Sequence, residues 1–367
     1  MLEFIRIQRF KSLNDASFPL AGLNLFSGLN GMGKSSLIQT LLLLRQSMEK
    51  NALMDKGLLL KGEYVTLGTG KDILTESVEE ENICFTLAFQ EAPPVNFAFN
   101  YAANSDLQPL LNTPENLPKP LPALFTKAFQ YLSAERIGPK SVYDASDYYI
   151  KSMNSIGNHG EYTAHYIAEY GLSNIHIKKL KHHKAVSGSL LENLDKWMSE
   201  ISPGIRIKAQ LHPATNSVFL NYVFEQGPEV TAEFKPENVG FGLTFVLPVL
   251  VAVLRAKPGD MIIVENPEAH LHPGGQSVLG RLCAIAAANG AQLFIETHSD
   301  HFLNGVRVAV KEGKIPSSNV NLFYLERNDA SIHESLVVTP QIDDQGRIDI
   351  WPRGFFDEAD IQLEKLL

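Results

Sequence analysis

Residues 2–9 alternate apolar and polar side chains, the period of a half-buried strand. Residues 22–27 predict a second strand that runs straight into a glycine-rich turn, and the leucine-rich stretch from Ser35 to Lys50, free of glycine and proline, predicts a helix. Segments 83–90 and 95–102 predict a strand pair joined across Pro93-Pro94. The prolines from Pro109 to Pro122 mark an irregular surface passage. Residues 150–235 carry weaker signals, a helical stretch and two strands at 205–211 and 217–224. From residue 238 the pattern sharpens. A helix (238–255), a buried strand (261–265), a helix (275–289), a buried strand (292–296) and a helix (299–311) precede two shorter strands at 321–327 and 332–338. Strand–helix alternation of this kind implies an α/β fold, with a mainly parallel sheet flanked by helices. The expected division is 1–145, a lobe with the glycine-rich loop and an antiparallel β side lobe; 146–235, a helical lid or insertion; 236–315, the rest of the core; and 316–367, closing strands and tail.

Composition narrows the classes. The chain has 367 residues, 44% of them hydrophobic and 20% charged, enough apolar material for a sizeable core. The net charge of −9 and pI near 5.7 supply no bulk attraction for nucleic acid or anionic membrane, so a DNA contact would need a local patch. Two cysteines, Cys84 and Cys283, exclude a disulfide framework and suit a reducing compartment. The N-terminus lacks a signal-like apolar stretch, and no uncharged run approaches the roughly 18 residues of a membrane span. A soluble, cytoplasmic protein is expected.

The run Gly28-Leu29-Asn30-Gly31-Met32-Gly33-Lys34-Ser35 completes the pattern G-x-x-x-x-G-K-[ST] between a strand and a helix. Glycines let successive amides point inward, so Asn30, Gly31, Gly33 and Ser36 would surround phosphate oxygens together with the helix N-terminus. Lys34 would reach the β- and γ-phosphates of ATP, and Ser35 would place its hydroxyl on Mg²⁺. Residues 261–265, Met-Ile-Ile-Val-Glu, form a buried strand ending in Glu265, a second Mg²⁺ candidate at the sheet edge. Residues 293–298 end another buried strand in Glu296-Thr297-His298, and a histidine there can donate to a γ-phosphate and sense its loss.

These motifs resemble the ABC-like P-loop ATPases related to RecF, the chromosome-maintenance (SMC) heads and the OLD ATPases. The phrases YLSAERIGP, NVGFG, ENPEAHLHP and ETHSD, and the tail WPRGFFDEA, which marks an uncharacterised C-terminal domain, are similar to a bacterial AAA subgroup. That subgroup looks like the ATPase subunits of anti-phage modules such as Septu. The resemblance implies an ABC-type head, ATP and Mg²⁺ as ligands, a homodimer with two ATPs sandwiched between subunits, and a separate, nuclease-like effector. In such ATPases a glutamate after the metal-linked acid polarises the attacking water. Here that position is Asn266 and the nearest acid is Glu268, which implies slow hydrolysis or reliance on Glu268. The counterpart of the signature element is Gly240, Gly242 and Thr244 at the start of an apolar helix, without the LSGGQ sequence. Gln46 and Asp72 are both candidates for the Q-loop residue.

Several positions carry two readings. Arg136 would meet phosphate or ribose, or else form a surface pair with Glu135. His270 and His272, with Glu268 beside them, invite a transition-metal site, but the two histidines lack an evident third and fourth ligand; the alternative is a dimer-contact loop. Residues 176–184, His-Ile-Lys-Lys-Leu-Lys-His-His-Lys, are a basic run that would either contact DNA or form a solvated face. A dimerising ATPase switch is therefore expected, with a DNA-repair ATPase acting directly on DNA as the alternative.

Overall fold

The computed structural model describes the chain apart from residues 30, 77, 79, 228, 329, 330 and 367. It divides into two compact units: Met1–Thr126, Val320–Ile342 and Ile348–Leu367 form the first, and Lys127–Asn319 with Asp343–Arg347 the second. The first unit opens with β1 (Leu2–Phe10), β2 (Leu13–Pro19), β3 (Leu23–Gly28), α1 (Lys34–Glu49), β4 (Gly57–Leu59), β5 (Asn82–Phe89), β6 (Val95–Asn100) and β7 (Leu107–Pro109). The second contains β8 (Phe129–Leu132), β9 (Val142–Asp144), α2 (Thr163–Tyr170), α3 (Leu190–Ile201), β10 (Ile205–His212), β11 (Ser217–Gln226) and β12 (Glu229–Val230). It continues with α4 (Phe241–Leu254), β13 (Met261–Glu265), α5 (Pro273–Ala288), β14 (Gln292–Glu296) and α6 (Asp300–Lys311). The chain re-enters the first unit through β15 (Val320–Asn328), β16 (Ser331–Val338) and α7 (Glu358–Leu366).

In the first unit an antiparallel sheet runs β2-β1-β5-β6. Strand β5 alternates along its whole length, burying Ile83, Phe85, Leu87 and Phe89 on one face, as the period-two pattern requires. Leu87 pairs with Val95 across the Pro93-Pro94 turn. Separately, β3 pairs in parallel with β15, which returns antiparallel as β16. Phe26 on β3 stacks on Phe323 of β15 at 5.1 Å, and Phe18 meets Phe323 edge-on at 5.4 Å. Aromatic packing of this kind fixes the strand that carries the glycine-rich loop.

In the second unit β13 lies between β14 and β8, all parallel. Residues 261–264 and all of β14 are buried, the continuous apolar signature of a strand covered on both faces. Register pairs Glu265 with Glu296, so two carboxylates end adjacent strands at one edge. Helix α4 is apolar all round and buried from Val246 onward, a core helix rather than an amphipathic one. Helix α6 is the opposite case. Its apolar stripe faces inward, Ser299 caps it by accepting from the Phe302 amide at 2.9 Å, and Asp300 sits in its first turn. Helices α2 and α3 pack on β10, which pairs with β11 in a small antiparallel sheet joined by β9 and β12.

Besides the short strands β4, β7, β9 and β12, β2, β8 and α7 escape the sequence patterns. Strand β2 contains Asp15 and Ser17 and forms because β1 supplies its ladder; β8 is only four residues; and α7 follows a tail without helical periodicity. The helix expected from 238 begins at Phe241, because Pro236–Asn238 form a separate 3₁₀ turn ahead of Gly240. Among the described residues no helix is long and apolar enough to cross a membrane.

Candidate functional site

The glycine-rich loop belongs to the first unit and leaves the end of β3. Gly28, Gly31 and Gly33 have φ of 141°, 79° and 79°, the region that L-residues avoid. A Cβ on Gly28 would collide with the Leu325 carbonyl, and one on Gly33 with the Ser12 hydroxyl. Gly33 then serves as N-cap of α1 and offers no side-chain acceptor to its first amides, the arrangement that receives an anion at a helix start. The Lys34 ammonium donates to the carbonyls of Gly28 at 2.9 Å and Leu29 at 2.8 Å, folded over the loop it would share with phosphates. Ser36 is buried, Ser35 half-buried, and Asn30 lies outside the described residues. Gln46 is buried, with its amide bonded to the Leu59 carbonyl and the Val65 amide, while Asp72 closes a capping box with Thr69. Both Q-loop candidates thus have structural tasks within the first unit.

The second unit gathers Arg136, Glu265, Asn266, Glu268 and His298. Glu265 accepts from the Tyr131 hydroxyl at 3.1 Å and the Ala134 amide at 3.2 Å. Burial pushes its carboxyl above the usual range, and the same burial raises the Tyr131 phenol. Arg136 is no surface partner of Glu135. It is 4% exposed and donates to the carbonyls of Ser133 at 3.0 Å, Glu265 at 2.7 Å and Asn266 at 2.5 Å. Burial lowers its pKa to about 10, against the opposing fields of Glu268 and Glu265. Asn266 has φ of 44° and donates its amide to the Glu296 carbonyl at 2.8 Å, which turns the chain sharply after the acidic strand. One carboxylate oxygen of Glu268 accepts the His298 amide at 2.8 Å, bringing these two candidates into contact. Burial raises the Glu268 carboxyl as well. Among the described residues its other oxygen and the Asn266 side-chain oxygen are buried with no close hydrogen-bond partner, although the Thr297 side chain also acts on the Glu268 carboxyl. Such orphans are costly unless something else meets them, and a set of hard oxygen donors suits Mg²⁺.

The signature-like turn joins this cluster. Phe241 and Phe245 stack at 4.8 Å, His270 meets Phe241 at 5.1 Å and Phe245 at 4.8 Å, and the Arg136 guanidinium lies 5.8 Å from the Phe245 ring centre. A side chain on Gly242 would strike the His270 carbonyl, so that glycine is what lets helix and loop touch. Gly240 is the helix N-cap, and Thr244 is buried in the first turn.

A loop of left-handed glycines at a strand–helix junction and a buried acidic strand end with a histidine beside it make up the two halves of an ATPase motif set. The family profile described as "AAA domain, putative AbiEii toxin, Type IV TA system" matches residues 23–304. The chain belongs to this AAA family. A second profile, "protein of unknown function (DUF3696)", matches residues 315–366. Comparison with curated proteins returned no match. Among solved structures, the SMC head bound to the C-winged helix domain of ScpA is 12% identical, with a TM-score of 0.53 over 93% of this chain and 98% of that one. The SMC head with an extended coiled coil, bound to the C-terminal domain of ScpA and derived from Pyrococcus furiosus, is 12% identical with a TM-score of 0.52, over 100% and 99%. At that identity the likeness concerns the fold: this AAA chain has a P-loop ATPase fold of the SMC-head kind.

The sequence did not reveal the Tyr131 hydroxyl or the Ala134 amide on Glu265; the signal available was only that they precede Arg136 on a short strand end. The Glu268, His270 and His272 metal reading does not assemble among the described residues. His270 packs on phenylalanines, and His272 caps α5 by accepting from the Gly274 amide at 3.3 Å. The basic run is partly tied down. Lys184 and the buried His182 both lie 3.2 Å from Glu200, and Lys181 donates to the Val186 carbonyl, while Lys178 and Lys179 are exposed. His182, His183 and Glu200 approach one another within 4.8 Å, but the first ring already accepts the Lys184 amide at Nδ1 and directs Nε2 at the Glu200 carboxylate, with burial lowering its pKa.

Proposed function

We propose that the chain is a Mg-ATP-binding, dimerising switch that regulates a separate, nuclease-like effector in bacterial anti-phage defence, working in the cytoplasm. The observation that carries it is the glycine-rich loop: three left-handed glycines, an uncapped helix start and Lys34 folded over the carbonyls of Gly28 and Leu29. In this reading Lys34 and the loop amides would hold the phosphates, and Ser35 and Glu265 are the residues that would hold Mg²⁺, which would supply neutralisation of phosphate charge. Glu268 orients the attacking water beside Asn266, and His298 faces the γ-phosphate. Gly240, Gly242 and the start of α4 receive the partner subunit's nucleotide. Because Asn266 cannot take a proton, turnover is slow and closure of the dimer is the working signal. The family description, which names a toxin of a Type IV TA system, supports the defence role, and the ScpA-bound SMC heads support an ATPase of this fold carrying a separate protein.

The test is calorimetric titration of ATP with Mg²⁺, together with light scattering. Binding with a mass increase toward the dimer, both lost in Lys34→Ala, is the expected outcome; binding indifferent to that change sinks the proposal. The likeness to SMC heads favours one second reading, direct action on DNA through residues 176–184. It requires salt-dependent DNA binding that disappears when Lys178, Lys179, Lys181 and Lys184 are replaced.

A further inference from the structure

A cavity of about 320 Å³ opens within the second unit, away from the residues of the proposed ATP site. Its walls come from the segment after β9, from α2, from the loop that follows α2, and from the end of α4. Lys151, His176, Arg255 and Lys257 line it, and none of the lining residues is acidic, in a chain where Asp and Glu outnumber Lys and Arg by 41 to 32. Lys151 is paired with Asp147 at 3.2 Å and Glu169 at 2.9 Å, outside the lining set. Arg255 is different. It is 9% exposed, and among the described residues it makes no contact ion pair; the Asp260 carboxylate acts on it only through its field, from beyond ion-pair distance. Its guanidinium donates to neutral acceptors, the Asn154 carbonyl at 3.0 Å, the Asn154 side chain at 3.2 Å and the Gln130 side chain at 2.8 Å, and the Tyr166 side chain also supports its charge, while its Nε is buried without a close partner among the described residues. The C-terminal end of α4, which Arg255 caps, takes up part of this charge through the helix dipole. A half-charge at a helix end and a carboxylate beyond ion-pair distance do not fully match a buried cation, and a buried charge without a contact ion pair is expensive. Lys257 stands two residues on, exposed at the cavity wall.

The same cavity presents ring faces. Tyr166 lies under the Arg255 guanidinium at 5.0 Å, and Tyr170 meets Tyr166 at 4.8 Å. Ser173, Asn154 and Asn174 add neutral hydrogen-bonding groups. Basic side chains with no acid in the lining, two aromatic faces and a volume at the lower end of the small-ligand range suit a ligand that is small, anionic and planar in part.

We propose that this cavity binds a phosphoester of mononucleotide size, with Arg255 and Lys257 on the phosphate and Tyr166 and Tyr170 against the ring. The site is independent of the glycine-rich loop, so the experiment uses the full chain carrying Lys34→Ala. AMP and inorganic phosphate serve as probes in titration calorimetry. AMP binds this chain one to one and as tightly as it binds wild type, and phosphate binds at least about tenfold more weakly, since it gains no ring contact. Lys257→Gln and Tyr170→Ala each weaken AMP by about tenfold or more while leaving the melting temperature within about 2 °C, which separates loss of a ligand contact from loss of fold. Arg255→Gln abolishes binding, with circular dichroism as its folding control. No binding of AMP at millimolar concentration overturns the proposal. So do equal affinities for AMP and phosphate, AMP binding lost with Lys34→Ala alone, and AMP binding that Lys257→Gln and Tyr170→Ala leave unchanged.

Discussion

Replacing Arg136 by methionine tests whether this side chain holds the Glu265–Asn266 turn together. The wild-type guanidinium donates to the carbonyls of Ser133, Glu265 and Asn266 from a position 4% exposed. Methionine fills much of the volume but takes the guanidinium donor from the carbonyls of Ser133 and Glu265, while the Asn266 carbonyl keeps the Ala269 amide at 3.2 Å. Each carbonyl that loses its donor costs about 1–3 kcal/mol, partly offset because the buried charge goes too, so the net loss is about 2–4 kcal/mol. For a unit of this size about 1 kcal/mol moves the midpoint by about 2–4 °C, so melting should fall by roughly 4–16 °C. Differential scanning calorimetry reads it directly, with Arg136→Lys as the intermediate case, because one ammonium cannot reach all three carbonyls. A methionine variant within about 1 kcal/mol of wild type, or a lysine variant as stable as wild type, would refute the clamp.

Three further outcomes follow from local structure. Asp195, whose carboxylate accepts the Ile207 amide at 2.9 Å, has its pKa pushed up to about 7 by burial. An acid that holds its proton more tightly folded than unfolded stabilises the fold at low pH and loses that contribution as pH rises from about 4 through about 7. Asp195→Asn should therefore be more stable than wild type at pH 8 and show a flatter melting profile across that window; parallel profiles would contradict it. Gly28→Ala places a methyl group on the Leu325 carbonyl at a φ of 141°, so it should cost at least about 1–3 kcal/mol in urea unfolding and weaken ATP binding. Ser299→Ala removes the cap of α6 and should cost about 1 kcal/mol by the same assay, with Ser299→Asp restoring it.

What the sequence by itself determined is what short range decides. The glycine-rich loop is legible because left-handed turns demand glycine at fixed spacing, and strands β13 and β14 because a buried strand is a continuous apolar run. Helix α6 is legible because its cap and its stripe lie within twelve residues. Tertiary structure decided the rest. Arg136 reads as half of a surface pair until the fold carries Glu265 and Asn266, some 130 residues away, into its reach. His270 and His272 read as ligands until one ring packs on Phe245 and the other caps a helix. Arg255 looks like any arginine after an apolar helix, and only the packing of residues 150–176 around it shows a buried cation facing a cavity. Periodicity and turn chemistry are local properties of the chain. Which polar groups end up buried without partners depends on contacts between distant segments, and no local pattern encodes them.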